Sequence, residues 1–235
     1  SFEFDSYDDA VSISARFLSE NRDEALALLR TALIEPRFAQ AALDRVRAQG
    51  LAGIRAELKD PDEIASAAFS AAVYGDHPYG SNETGTIETV TALTREDIVQ
   101  AHQDVIALDN LYVSAVGDIT ADELGTMLDA LLGDLPAEAA PLPPRVEIET
   151  EAGVTVVPYD TPQSVAIFGH RGIDQDHPDF FAAFILNNIF GASGFESRLM
   201  TEVREKRGLT YGVYSFLVSK DLAEVMVGQL ASSNE

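Results

Sequence analysis

Apolar positions along this chain change spacing repeatedly between a period of two and a period near 3.6, and the changes mark out strands and helices. Residues 11–17, Val-Ser-Ile-Ser-Ala-Arg-Phe, alternate cleanly and predict a half-buried strand. Asn21 is placed to cap a helix running to about Leu33, with Pro36 beyond its end. A longer helix is predicted over residues 40–58, where Asp60-Pro61-Asp62 interrupts the pattern and starts a further helix to about Val73. Asp76-His-Pro-Tyr-Gly80 is a loop built on turn residues. Thr94 with Asp97, and Thr120 with Glu123, are capping-box patterns that open helices to about Ile106 and Leu132. Residues 111–116, between those helices, read as a short apolar strand.

Residues 133–144 carry four prolines and few large apolar side chains, the composition of an extended, semi-rigid linker. The pattern then begins afresh. Residues 154–158 and 164–169 are predicted strands, and residues 179–190 an apolar helix followed by the loop Gly191-Ala-Ser-Gly194. An amphipathic helix with Leu199, Met200 and Val203 on its apolar stripe comes next, stopped by Gly208 after the basic Lys206 and Arg207. Residues 209–218 are expected to form a strand that pairs with residues 226–230 across a turn near Lys220-Asp221. Mixed strands and helices of this order predict the α+β class, in domains of residues 1–133 and 151–235 joined by a linker at 134–150.

Composition narrows the partners. Hydrophobic content of 46% is enough for packed cores. No run of about 18 apolar residues occurs, so no transmembrane helix is expected. A formal net charge of −23 opposes binding to nucleic-acid phosphates and to anionic lipid; it serves solubility first and would steer a basic peptide or partner inwards. The absence of cysteine excludes disulfides and thiolate ligands. The opening Ser1-Phe-Glu-Phe shows no signal peptide, which leaves the compartment open.

The candidate chemistry lies where the predicted Gly208-stopped helix turns into a strand. That turn can bring Arg204, on the last helical turn, close to Tyr211 on the strand. The two side chains offer a planar fork of N–H donors and a phenolic hydroxyl, which suits a peptide carbonyl or a developing oxyanion. The run S-R-L-M-T-E-V-R-E-K-R-G-L-T-Y, from Ser197 to Tyr211, resembles the C-terminal-half signature of the pitrilysin/insulinase family. That family comprises inverted-motif zinc metallopeptidases and includes the mitochondrial processing peptidases. Leu18-Ser-Glu-Asn-Arg22, Glu35-Pro-Arg-Phe38, Gly75-Asp-His-Pro-Tyr-Gly80 and Val116-Gly-Asp118 are similar to the family's first half. The resemblance implies two similar α+β domains, each a mainly antiparallel sheet covered on one face by helices. It also implies a fragment incomplete at both ends. Arg204 and Tyr211 match the Arg and Tyr that reach the active site from the half that does not bind zinc.

Active members of that family carry H-x-x-E-H on a helix, two histidines for zinc and a glutamate to activate water. The histidines at 77, 102, 170 and 177 include no such pair, and the motif would lie upstream of Ser1. The family's third ligand, about eight residues before the Asp-Pro break, falls on Gly53, which cannot ligate. Glu57, one turn on, substitutes only if the register shifts. The resemblance therefore implies the non-catalytic subunit of a heteromeric zinc metallopeptidase, with no cofactor of its own. Zinc would sit on a homologous peptidase partner, and Arg204 and Tyr211 would act on a peptide substrate in trans. Two alternatives stand beside it: a complete zinc metalloendopeptidase whose H-x-x-E-H lies upstream, and a structural core subunit without protease activity.

Overall fold

A computed structural model describes residues 1–148 and 152–234. In chain order its elements are β1 (Phe2–Ser6), β2 (Val11–Ala15), α1 (Arg22–Ile34), α2 (Gln40–Glu57), α3 (Pro61–Tyr74), α4 (Ile87–Ala92), α5 (Arg95–Val105), α6 (Ala121–Leu132), β3 (Gln163–Arg171), α7 (Phe180–Asn187), β4 (Val213–Lys220) and β5 (Ala223–Ser233). The mixture is α+β with antiparallel sheets, as the pattern predicts. Contacts divide the chain into one unit of Ser1–Leu51 with Glu88–Leu142 and another of Ala52–Ile87 with Pro143–Glu235.

In the first unit β1 and β2 form an antiparallel ribbon in the register Phe4↔Ile13. Leu29 and Leu33 of α1 bury against Leu131 of α6, with Phe2 and Ile13 of the ribbon packed onto them. Both capping boxes form. The Thr94 hydroxyl accepts from the Asp97 N–H at 3.2 Å, and the Asp97 carboxylate accepts from the Thr94 N–H at 2.7 Å. Thr120 and Glu123 repeat the exchange at 3.3 and 3.0 Å. Each box satisfies N–H groups that the first helical turn leaves without partners. The backbone N–H of the threonine, with its hydroxyl second, holds each carboxyl below its usual range. Arg30 clasps Asp134 and donates to Ala130 O at 3.1 Å, tying α1 to the end of α6.

In the second unit β5 lies between β3 and β4, antiparallel to both. The β4–β5 hairpin turns after Lys220, which pairs with Ala223, close to the predicted turn. Helix α3 starts as expected: Asp60 accepts from Asp62 N at 2.9 Å, and Pro61 occupies the first turn where no N–H is needed. Val73 and Tyr74 of α3 bury with Ile148, Ala223 and Val225, and Phe69 packs against them. Gly169 of β3 makes that approach possible, because a Cβ there would come within 2.8 Å of the Phe69 ring. The short helix α7 is apolar on several faces and leaves Phe181, Phe184, Ile185 and Leu186 exposed.

Three expectations change. Residues 111–116 and 154–158 form no strand, and Tyr112 is 100% exposed. Strand preference is expressed only where a neighbouring strand accepts the ladder bonds and side chains, and among the described residues neither segment pairs with a strand. The stretch expected as a free linker is held at both ends. Leu135 is buried, Leu108 N donates to Pro136 O at 2.9 Å and Ala140 N to Asp104 O at 2.8 Å. Further on, Val146 N donates to Leu222 O at 2.9 Å and Ile148 enters the core of the second unit. Prolines exclude helix and central strand, yet their neighbours still pair their backbone groups. Residues 149–151, the end of that stretch and the start of the expected second domain, lie outside the described residues. Finally, the contact division is not linear along the chain, because the apolar face of α3 packs on the sheet of β3, β4 and β5.

Thr94→Ala removes the cap of α5 and is expected to cost about 1 kcal/mol. A urea titration checks this, with a lowered midpoint and an unchanged slope expected. The other half of the box, in which the Asp97 carboxylate accepts from Thr94, is present above the usual aspartate range and weakens as pH falls through its lowered value. An unchanged midpoint at pH 7 would show that the cap contributes nothing.

Candidate functional site

The site is built from the end of α7 to the start of β4. Asn187 closes α7 inside the apolar run Phe-Ile-Leu-Asn and is buried, as is Ser215 of β4. The Ser215 hydroxyl donates to Asn187 Oδ1 at 2.7 Å, and Asn187 Nδ2 donates to Ser215 O at 3.2 Å. This clasp fixes the helix end to the strand. Gly191 lies against the same serine, and a Cβ there would strike Ser215 Oγ and come within 2.8 Å of Leu199 Cδ1.

The predicted α-helix of the signature run is instead a π-helical turn over Met200–Glu205, and Asn188–Ala192 forms another. The wider turn shows in i to i+5 bonds, Lys206 N to Thr201 O at 3.1 Å and Ser193 N to Asn188 O at 3.1 Å. Tertiary anchors account for it. Ser197 is fully buried and its hydroxyl accepts from Met200 N at 3.3 Å. Met200 is fully buried too, its sulfur facing Val213 N at 3.4 Å. Holding both ends of one short segment leaves an extra residue to accommodate within the turn, and such π turns are frequent at functional sites.

Each remaining position of the signature has a local task. Glu202 is claimed by Lys206 at 2.6 Å and by Arg207 at 3.0 Å. Those two hydrogen bonds, the Lys206 bond first, hold its carboxyl below the usual range. Arg204 therefore forms no ion pair among the described residues, and its guanidinium carbon lies over the Phe195 ring at 4.7 Å from the centroid. Gly208 stops the helix in the left-handed region at φ 64°, as predicted, with its N–H on Arg204 O at 2.8 Å. Leu209 N reaches back to Val203 O at 3.1 Å.

Tyr211 is not on the strand. β4 begins at Val213, and Tyr211 occupies the bend before it with its side chain 88% exposed. Thr210 fixes that bend: its hydroxyl lies 2.6 Å from Ala231 O on β5 and accepts from Gly212 N at 3.1 Å. A threonine that bonds its own backbone two residues on competes with the ladder, which delays the strand. Arg204, half-buried, and Tyr211, exposed, thus both lie on one anchored segment, with no hydrogen bond between them. Asn187, Ser215 and Thr210 were not singled out by the sequence pattern. A lone amide closing a helix as apolar as α7 was the available signal for Asn187.

The described residues do not fit a zinc ion, because no group of three or more His, Cys, Asp or Glu side chains converges among them. Gly53 lies on α2 as expected, and the Glu57 carboxylate accepts from Thr84 Oγ1 at 2.8 Å. His77 and His177 each accept a backbone N–H two residues on, from Tyr79 and Asp179. His102 packs edge-on against Phe38 at 5.6 Å, with Nε2 buried. His170 sits beside its neighbour's carbonyl, Arg171 O. A polar cavity of about 390 Å³ lies elsewhere in the second unit, and its charges are paired internally, Arg145 with Asp174 and Glu224 and Arg171 with Glu147. No helix among the described residues is long and apolar enough to cross a membrane.

Comparison with known proteins places the chain among known families. A family model described as the peptidase M16 inactive domain matches residues 92–230. The chain is 30% identical over 215 residues to the "Non-peptidase homolog YmxG" of Helicobacter pylori, covering 91% of this chain and 50% of that protein. It is 28% identical over 203 residues to the "Uncharacterized zinc protease YmxG" of Bacillus subtilis, covering 86% and 49%. The chain thus spans about half the length of the curated relatives it matches. A crystal structure of a peptidase M16 inactive domain from Pseudomonas fluorescens superposes with a TM-score of 0.85 at 29% identity, covering 100% of this chain and 57% of that one. Pitrilysin shares the fold at a TM-score of 0.65 and 16% identity, covering 99% and 26%.

Two outcomes follow from the geometry. Ser215→Ala leaves the buried Asn187 amide oxygen without its donor and is expected to cost about 1–3 kcal/mol, read as a lower denaturant midpoint. An unchanged midpoint would mean that the clasp is replaceable. Glu202→Gln should lower the thermal midpoint at pH 7. The depressed glutamate pKa places its contribution above the ordinary glutamate range, about pH 4, and removes it as pH falls through the lowered value. The gap between wild type and variant should therefore close on acidification, and a gap that widens instead would contradict the assignment.

Proposed function

Because the chain belongs to the peptidase M16 inactive-domain family, we propose that it is the non-catalytic half of a heteromeric zinc peptidase. In this reading it lends Arg204 and Tyr211 to a zinc site on a homologous partner subunit. The observation that carries the reading is a guanidinium with no ion pair among the described residues, seven residues ahead of a tyrosine that is 88% exposed. Residues two apart on a helical turn do not face each other, so Glu202 is not placed to pair with Arg204. Lys206 and Arg207 occupy Glu202 instead, and the Arg204 donors are left for an incoming group.

The group they suit is a peptide carbonyl. When water adds to it, the oxygen gains negative charge, and donors already in place stabilise that charge without reorganising. The guanidinium offers two parallel N–H bonds, and the phenol of Tyr211 a third donor. In this reading the zinc and its water belong to the partner. The anchors around Met200, Thr210 and Ser215 supply the rigidity that such donors need. The acidic chain, at −23, favours encounter with basic peptides. The alternative of a resident zinc would take its two histidines from an H-x-x-E-H upstream of Ser1 and its third ligand from Glu57, whose carboxylate here accepts from Thr84 Oγ1.

The test uses the full-length protein purified with its partner. Arg204→Ala and Tyr211→Phe should each lower the rate of peptide hydrolysis about 100-fold to 1,000-fold while leaving the thermal midpoint in place. Arg204→Lys should also be damaging, because an ammonium lacks the planar fork. Arg198→Ala, exposed on the same segment, is the control and should match wild type. If the Arg204 and Tyr211 variants equal wild type in kcat and KM, the pair is structural and the reading falls.

A further inference from the structure

We infer that Phe195 is the positioning residue for Arg204, setting where its guanidinium meets a bound carbonyl; this rests on the function proposed above. Phe195 lies in the turn Gly194–Glu196, between the two π-helical segments, and its ring is 63% exposed. The Arg204 guanidinium carbon lies 4.7 Å from its centroid, within the range of attraction between a cation and a ring face.

The chemistry of that contact differs from a salt bridge in one respect that matters here. A carboxylate partner would take two of the guanidinium's N–H donors. A phenyl ring has no acceptor atom, so it restrains the cation while leaving all five donors for substrate. The surrounding charges are arranged to the same end. Glu202 on the π turn is held by Lys206 and Arg207, while Glu196 and Glu205 form no ion pair with Arg204 among the described residues. The ring itself is held in place by its segment. Gly194, at φ 69°, starts the turn, Ser197 N returns to Gly194 O at 3.3 Å, and Ser197 is fully buried. A side chain other than hydrogen at 194 would be strained in that conformation. Ring and guanidinium are therefore carried by adjoining turns that share the Ser197 anchor, which gives a long, flexible arginine one favoured direction.

The experiment compares Phe195→Leu, Phe195→Tyr and Arg204→Ala in the full-length protein with its copurified partner, using an internally quenched peptide that the wild-type pair cleaves. Phe195→Leu keeps an apolar side chain but no ring face, and should lower kcat/KM about threefold to tenfold; Phe195→Tyr should restore it. In an Arg204→Ala background Phe195→Leu should have no further effect, since the residue acts through the arginine. A spectroscopic readout is independent of activity: the Arg204 δ-methylene protons should be shifted upfield by the ring in wild type and return to ordinary values in Phe195→Leu. An equal loss in the Arg204→Ala background, or arginine resonances indifferent to residue 195, overturns the positioning role while Arg204→Ala alone still reports on the site. If Arg204→Ala costs nothing, the proposed function fails and this inference falls with it.

Discussion

The buried amide of Asn187 holds both the hydroxyl and the carbonyl of Ser215, and what the site presents to solvent depends on that clasp. It joins the end of α7 to the strand β4, so the residues between them must close a loop of set span. Within it, Gly191 lets the chain pass close to Ser215, and Ser197 and Met200 take buried positions. The π-helical turns are the backbone's answer to those anchors, since a regular helix would not reach each of them in turn. A neutral amide and hydroxyl that satisfy each other can sit in an apolar core at little cost, whereas either one alone could not.

The candidate side chains Arg204 and Tyr211 are carried on this anchored segment, Arg204 half-buried and Tyr211 exposed. The sequence of charges along the π turn assigns partners before any ligand arrives: Glu202 to Lys206 and Arg207, Arg204 to no acid. Thr210 performs the matching task for Tyr211 by drawing the bend onto β5 and holding the strand back until Val213. One short signature thereby contains the buried anchor, the electrostatic sorting and the two candidate donors.

The chain's unused strand potential has a related physical origin. Residues 111–116 and 154–158 have the composition of strands, yet Tyr112, Val116 and Val154 lie fully or almost fully exposed. Ladder hydrogen bonds are made between segments, and a segment with no neighbour cannot express its preference. The proline-rich stretch shows the converse. Its composition reads as a loose tether, but Leu135 and Ile148 are buried and its amides find partners, so it is part of both units.

Local chemistry determined a good deal from the sequence alone. The capping boxes at Thr94 and Thr120, the Asp60-Pro61 start of α3, the Gly208 stop and the β4–β5 hairpin each depend on residues within a few positions of one another, and each formed where the pattern placed it. Arg204 and Tyr211 were legible through the length of the signature run, though their surroundings were not. The π geometry, the Phe195 contact, the Thr210 tether and the Asn187–Ser215 clasp were decided only in the tertiary structure. They pair groups from different elements, and no periodicity along one segment records which distant group will lie opposite. The grouping of α3 with β3, β4 and β5 was decided in the same way, because an apolar face specifies that it will be buried and leaves open what will bury it.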